Sequence, residues 1–215
     1  MELIRLSGIN LKLNERENTR SEKKQRNRTI FENYNLTVNE GDKIQISGRS
    51  GSGKSTLLKI LLGFVRPDSG NVFIKGRKIT DKDFRHVRTL FAYVNQDVTL
   101  RPGPVRQILK DISSFSGNKY DGQIDEKLAR FFDMEPALFD KDTEKLSGGE
   151  RQRLGLMIAV ELDRPVFLLD EVTSALDAEL KQKTADYFAA AGKTVIVVSH
   201  DPEWRRSGKF KQEIL

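Results

Sequence analysis

The sequence predicts an α/β fold with a mainly parallel core sheet, and three observations lead there. Residues 166–169 (VFLL) and 195–198 (VIVV) are short apolar runs of the kind that strands covered on both faces require. Strand and helix patterns alternate along much of the chain. A glycine-rich turn at 48–53 separates a strand pattern from a helix pattern.

The elements follow in order. Leu3, Ile4, Leu6, Ile9, Leu11 and Leu13 alternate as in a strand. Residues 14–29 contain no apolar side chain in sixteen positions, so this stretch can bury nothing and reads as a flexible loop or a hairpin tip. It is either a solvated insertion or a contact for RNA or lipid headgroups through Arg20, Lys23, Lys24, Arg26 and Arg28. Segments 35–38 and 43–47 read as a strand pair turning at Glu40-Gly41-Asp42. A helix is expected over 53–64, with strands at 72–74 and 90–94. Ile108, Leu109, Ile112, Ile124, Leu128, Phe131 and Phe132 give 104–139 helical spacing. Further helices are expected over 149–162, ahead of Pro165, and over 178–190, closed by Gly192.

Composition narrows the function classes. The 215 residues contain no cysteine, which removes disulfides, thiolate metal sites and a cysteine nucleophile. A net charge of +6 suits an anionic ligand, nucleic acid or an anionic membrane face, and suits a solvated surface equally well. No apolar run approaches the ~20 residues of a membrane span, and the start of the chain lacks a secretory pattern. An intracellular protein is expected, with any membrane role supplied by a partner.

The chemistry begins with Gly48-Arg49-Ser50-Gly51-Ser52-Gly53-Lys54-Ser55, followed by Thr56, which fits the phosphate-binding loop pattern G-x-x-x-x-G-K-[ST]. Its glycines let backbone N–H groups converge on phosphate oxygens, and the helix that follows points its positive end at them. Lys54 supplies a point charge, and Ser55 a hydroxyl for Mg²⁺. Binding of a nucleoside triphosphate with Mg²⁺ follows. The apolar strand 166–169 ends in Asp170 and Glu171. In a P-loop fold it is expected beside the strand feeding the loop, bringing Asp170 to the Mg²⁺ shell. Glu171 falls on the other side of the strand end, where it can polarise a water for attack on the γ-phosphate.

Two further segments carry a family resemblance. Leu146-Ser147-Gly148-Gly149-Glu150, then Arg151-Gln152-Arg153, resembles the signature of ATP-binding-cassette (ABC) ATPases, and Ser147 stands 23 residues before Asp170. Ser174-Ala175-Leu176-Asp177 resembles the family's D-loop, His200 its switch histidine and Gln96 its Q-loop glutamine. His86 has no motif around it. These elements run in family order across about seventy per cent of the chain.

The resemblance implies the P-loop ABC ATPase fold: an N-terminal antiparallel β subdomain within a core of 1–96 and 146–215, and a helical subdomain at about 97–145. It also implies ATP and Mg²⁺ as ligands, and two subunits closing head to tail, as a homodimer or with a second cassette. Each ATP would lie between the P-loop of one subunit and Ser147, Gly148 and Gly149 of the other. Glu171 would be the general base and His200 would position the γ-phosphate and water. Gln96 would sense Mg²⁺, and Asp177 would carry signals between subunits. The work implied is transport through a separate multi-span membrane permease, placing the chain on the inner face of the cell membrane. Residues 169–177 (LDEVTSALD) resemble those of small bacterial iron-export ATP-binding subunits. The alternative is a soluble ABC ATPase of iron–sulfur cluster assembly. Nucleic acid is not an expected partner. With fifteen residues after His200, no C-terminal regulatory domain is expected.

One position departs from the pattern. Family members usually stack adenine on an aromatic ring near the end of the first strand, whereas this chain has Leu11, Lys12 and Leu13 there. Phe31 and Tyr34 begin the next strand and are expected in the core, leaving Leu13 or a basic side chain to meet the base. Preference for ATP over GTP should therefore be modest in competition binding, and tight discrimination would contradict this.

Overall fold

The computed structural model describes residues 1–19, 22–114 and 121–215, with the side chains of 14–27 outside that description. Two sheets organise it. The antiparallel one contains β1 (Glu2–Thr19), β2 (Glu22–Asn39), β4 (Ser69–Ile74) and β5 (Arg77–Lys78), in the order β2-β1-β4-β5. The other contains β3 (Lys43–Ser47), β6 (Phe91–Val94), β7 (Val166–Asp170), β8 (Thr194–Val198) and β9 (Lys211–Ile214), in the order β6-β7-β8-β3-β9. All its neighbours pair in parallel.

The apolar strands behave as their composition demands. Phe167 and Leu169 of β7, with Val195 and Val197 of β8, enter a core shared with α5 (Gly148–Glu161) and α6 (Ala178–Ala190). Val166 and Leu168, with Ile196 and Val198, enter a second core shared with α1 (Lys54–Leu61) and the antiparallel sheet. Side chains alternate between two apolar layers, which is why neither strand contains a polar residue on its inner positions.

Several expectations change. Segments 35–38 and 43–47 are not paired: β2 pairs with β1, whereas β3 lies between β8 and β9. The turn at 40–42 passes the chain from one sheet to the other. It is closed by the Asn39 N–H donating to Asp42 Oδ2 at 2.8 Å. Burial on both faces explains the transfer, since Ile44 and Ile46 need cover that a hairpin edge would not give. The polar stretch 14–29 extends the hairpin, with its ladder reaching Thr19↔Glu22. Backbone bonding between antiparallel strands requires no buried side chain. The expected RNA or lipid contacts of Arg20, Lys23, Lys24 and Arg26 lie outside the described residues.

The strand carrying Asp170 is not beside the loop-feeding strand either, because β8 separates β7 from β3. Strand order is set by crossover packing, which the apolar runs do not encode. The helical stretch 104–139 is broken into α3 (Val105–Ser114), α4 (Glu126–Phe131) and a 3₁₀ turn at Pro136–Asp140. The short helices α2 (Phe84–Val87) and α7 (Glu203–Arg206), and strands β5 and β9, were not foreseen. Among the described residues no helix is long and apolar enough to cross a membrane.

Trp204 of α7 pins the edge of the first core. It is wholly buried, with ring centroids 6.3 Å from Phe188 and 5.3 Å from Phe210. Its indole N–H donates to Thr173 Oγ1 at 3.3 Å. Trp204→Ala should therefore lower stability by about 3–5 kcal/mol in urea unfolding, and a loss below about 1 kcal/mol would show that α7 is not part of the cooperative core.

Candidate functional site

The phosphate-binding loop joins β3 to α1 at the carboxyl edge of the parallel sheet. Gly53 takes φ 108° as the residue capping α1, a conformation that side-chain-bearing residues rarely adopt. Space forbids a side chain as well, since a Cβ there would lie 2.5 Å from Ile30 Cγ2. Lys54 is only 8% exposed, and its ammonium donates to the carbonyls of Gly48 at 2.9 Å and Arg49 at 3.0 Å. Ser52 presents a buried hydroxyl with no hydrogen-bond partner, a polar atom that a phosphate oxygen would satisfy. Arg49, Ser50 and Gly51 are exposed on the loop's outer side, and Thr56 is half-buried in the first turn of α1.

Asp170, the last residue of β7, is 3% exposed and accepts from Ser55 Oγ at 3.0 Å. The two residues expected at Mg²⁺ thus meet although β8 lies between their strands. Burial pushes the Asp170 carboxyl above the usual range, opposed by the Ser55 hydrogen bond and by Lys59 and Lys54. This oxygen pair suits a hard cation that takes its other ligands from phosphates and water. Among the described residues no cluster of three or more His, Asp or Glu offers an all-protein metal cage.

Glu171 follows in the left-handed region at φ 50°. Its N–H still donates to Val198 O at 2.9 Å, so the backbone stays tied to β8 one residue beyond the end of β7. His200 comes from the segment after β8, and its exposed ring places Nε2 3.8 Å from Glu171 Oε1. Burial raises the Glu171 pKa; His200 and Lys54 pull it down, while Asp170 and Asp201 push it up. Asp201 accepts from Thr173 Oγ1 at 2.7 Å and from Lys181 Nζ at 3.0 Å, fixing the backbone next to His200.

The remaining motif residues lie to one side. Ser147 caps α5 in a reciprocal box: its hydroxyl accepts from the Glu150 N–H at 3.1 Å, and its own N–H donates to Glu150 at 2.7 Å. The hydrogen bond from Lys141 helps hold the Glu150 carboxyl down at about 2. Ser147 and Gly148 are exposed at this helix start. Asp177 caps α6 by accepting from the Leu180 N–H at 2.9 Å, and is exposed. Gln96 is exposed beyond β6 and lines a groove with Gly148, Arg151 and Ser174. Neither Ser55 nor Asp170 is hydrogen-bonded to it. Gln96 thus stands along one groove with the start of the signature helix, which Gln152 ties to Glu171.

Three contributors were not identified as such from the sequence. Arg28 donates to Gly51 O at 2.9 Å, so one basic residue of the polar stretch reaches the phosphate loop. Leu13, paired with Arg28 across the hairpin, is 38% exposed beside it. Phe31 is buried as expected, and the half-buried Tyr34 donates to Glu213 Oε1 at 2.9 Å. Asp201, next to His200, and Gln152, within the signature segment, are the other two, neither with a signal of its own.

Comparison with known proteins agrees with this geometry. The sequence profile described as ABC transporter matches residues 31–174. The ATP-dependent lipid A-core flippase of Neisseria meningitidis is 34% identical over 188 residues, covering 79% of this chain and 29% of the flippase. The spermidine/putrescine import ATP-binding protein PotA of Pasteurella multocida is 35% identical over 188 residues, covering 82% of this chain and 49% of PotA. The chain thus spans about a third of the flippase and half of PotA. Among solved structures, the dimeric post-hydrolysis state of the ATP-binding cassette MJ0796, bound to ADP and Pi, superimposes with a TM-score of 0.77. It is 25% identical, covering 99% of this chain and 94% of that one. A profile match over most of the length, relatives above the thirty-per-cent mark and the cassette fold lead to one assignment: the chain belongs to the ABC transporter family.

Proposed function

We propose that this chain is the ATP-hydrolysing, nucleotide-binding subunit of a membrane transporter, driving a separate permease by pairing head to tail with a second cassette around ATP. The contact of Ser55 with Asp170 at 3.0 Å carries the reading, because it closes a cation site directly beneath the phosphate loop. The names of the flippase and the polyamine importer support transport over the cluster-assembly alternative.

The residues divide the work. Backbone N–H groups of the loop 48–53 and the N-terminus of α1 hold the phosphates, with Lys54 supplying charge and Thr56 standing in the first turn of α1. Ser55 and Asp170 would hold Mg²⁺, which neutralises charge on the β- and γ-phosphates when bound. Glu171 accepts the proton of the attacking water, and its partial burial favours that transfer. His200 stands close enough to Glu171 to orient the same water and the γ-phosphate. Gln96 joins this centre to the helical subdomain at about 97–145, where the permease docks. Ser147, Gly148 and Gly149 face the second subunit's ATP with an exposed helix start, and Asp177 lies at the subunit contact.

Glu171→Gln separates binding from chemistry. Its turnover should fall by about 10²–10⁴-fold with nucleotide affinity retained. Tagged E171Q chain, purified with ATP from detergent-solubilised source cells, should carry a multi-span membrane protein with it. Soluble scaffold proteins alone would overturn the transporter reading.

A further inference from the structure

Gln152 is an unusual residue for its place. It sits in the second turn of α5 among Arg151 and Arg153, yet it is 2% exposed, and both ends of its amide are used. Its Nε2 donates to the Glu171 carbonyl at 3.1 Å, and its Oε1 accepts from the Ala175 N–H at 3.2 Å. One side chain therefore closes the loop between Glu171 and Asp177 onto the signature helix. The remaining anchors of that loop are local or come from the other side. Ser174 N–H donates to the same Glu171 carbonyl at 3.2 Å, and Thr173 is held by Asp201 and Trp204. The Ala175 carbonyl also lies 3.3 Å from where a Cβ of Gly149 would be, so the loop rests directly against the helix start.

The backbone at Glu171 makes this bond matter. A non-glycine residue in the left-handed region is strained and persists where its surroundings over-determine it. Glu171 is held through its N–H by β8 and through its carbonyl by Gln152, beside the local bond from the Ser174 N–H. Losing the Gln152 bond leaves that carbonyl with the Ser174 contact alone, which lies in the same loop and so no longer ties Glu171 and its carboxylate to the signature helix. The start of α5 is itself rigid, locked by the Ser147–Glu150 box. A shift at Ser147 is thus delivered to Glu171 through a fully buried amide with both its hydrogen bonds engaged.

We propose that Gln152 is a positioning residue that ties the aim of Glu171 to the signature helix of the same chain, and thereby links the two ATP sites of a cassette pair. This rests on the functional reading above, in which Ser147 meets the partner's nucleotide while Glu171 serves its own. Hydrolysis at one site then depends on how the signature helix is engaged at the other.

The test compares Q152A with Q152E, an isosteric change that removes the N–H donor and opposes a carboxylate to the Glu171 carbonyl. In the purified full-length chain, kcat should fall about ten- to a hundredfold in both. ATP affinity, measured by fluorescent nucleotide in the non-hydrolysing E171Q background, should stay within about twofold, and the Hill coefficient for ATP should drop to one. Turnover within about twofold of the parent would overturn the proposal, as would a loss of turnover matched by an equal loss of nucleotide binding, which marks plain structural damage. E171Q alone retaining parental turnover would sink the functional reading itself, whatever Gln152 does.

Discussion

Burial of the central parallel strands on both faces is the constraint from which the site follows. With apolar layers above and below β7 and β8, and the buried Lys43 and Gln45 of β3 tied up by backbone carbonyls, reactive polar chemistry has little room along the strands. It collects where they end. Because every strand of that sheet points the same way, those ends share one edge. The loop from Gly48 follows β3, Asp170 and Glu171 terminate β7, His200 follows β8, and Gln96 follows β6. The interposed β8 does not spoil the arrangement. It delivers the histidine to the gap between the two phosphate-side groups.

Charge at this edge is held under tension. Asp170 and Lys54 are nearly inaccessible to water, and burial opposes ionisation of the carboxylate. Glu171 adds backbone strain to partial desolvation. None of these features favours the folded state. They persist because two extensive apolar cores hold the strand ends in place, a division between stability and activity common at catalytic sites.

Much of this was legible in the sequence, for physical reasons that also mark its limit. Backbone geometry calls for glycine at 48, 51 and 53, and the expected meeting of Ser55 with the carboxylate ending an apolar strand appears in the fold as the Ser55–Asp170 hydrogen bond. Strand order has no such local signature. The placement of β8 between β3 and β7 depends on how helices pack across the sheet, and the sequence expectation had it otherwise. β9 escaped notice because Lys-Gln-Glu-Ile has no strand-like apolar pattern; it is a strand because the edge of β3 offers it a ladder. Gln152 was invisible for a different reason. A glutamine between two arginines reads as solvated, and only the fold reveals that its face of α5 is the buried one.

The junction between the two sheets has a mechanical consequence. Three residues, 40–42, are all that separate β2 from β3, and the joint is stitched on every side. The Gly41 N–H of the turn donates to Thr194 Oγ1 at 2.9 Å, Tyr34 reaches across to Glu213, and Gly53 lies against Ile30 and Phe31. The antiparallel sheet and the phosphate loop are thus joined by hydrogen bonds and packing across the turn. A nucleotide bridging Leu13 and Lys54 would touch both sides of that joint, whose contacts resist one wall moving against the other. A movement triggered by a ligand there would find its easier path beyond the joint, in the helices after β6.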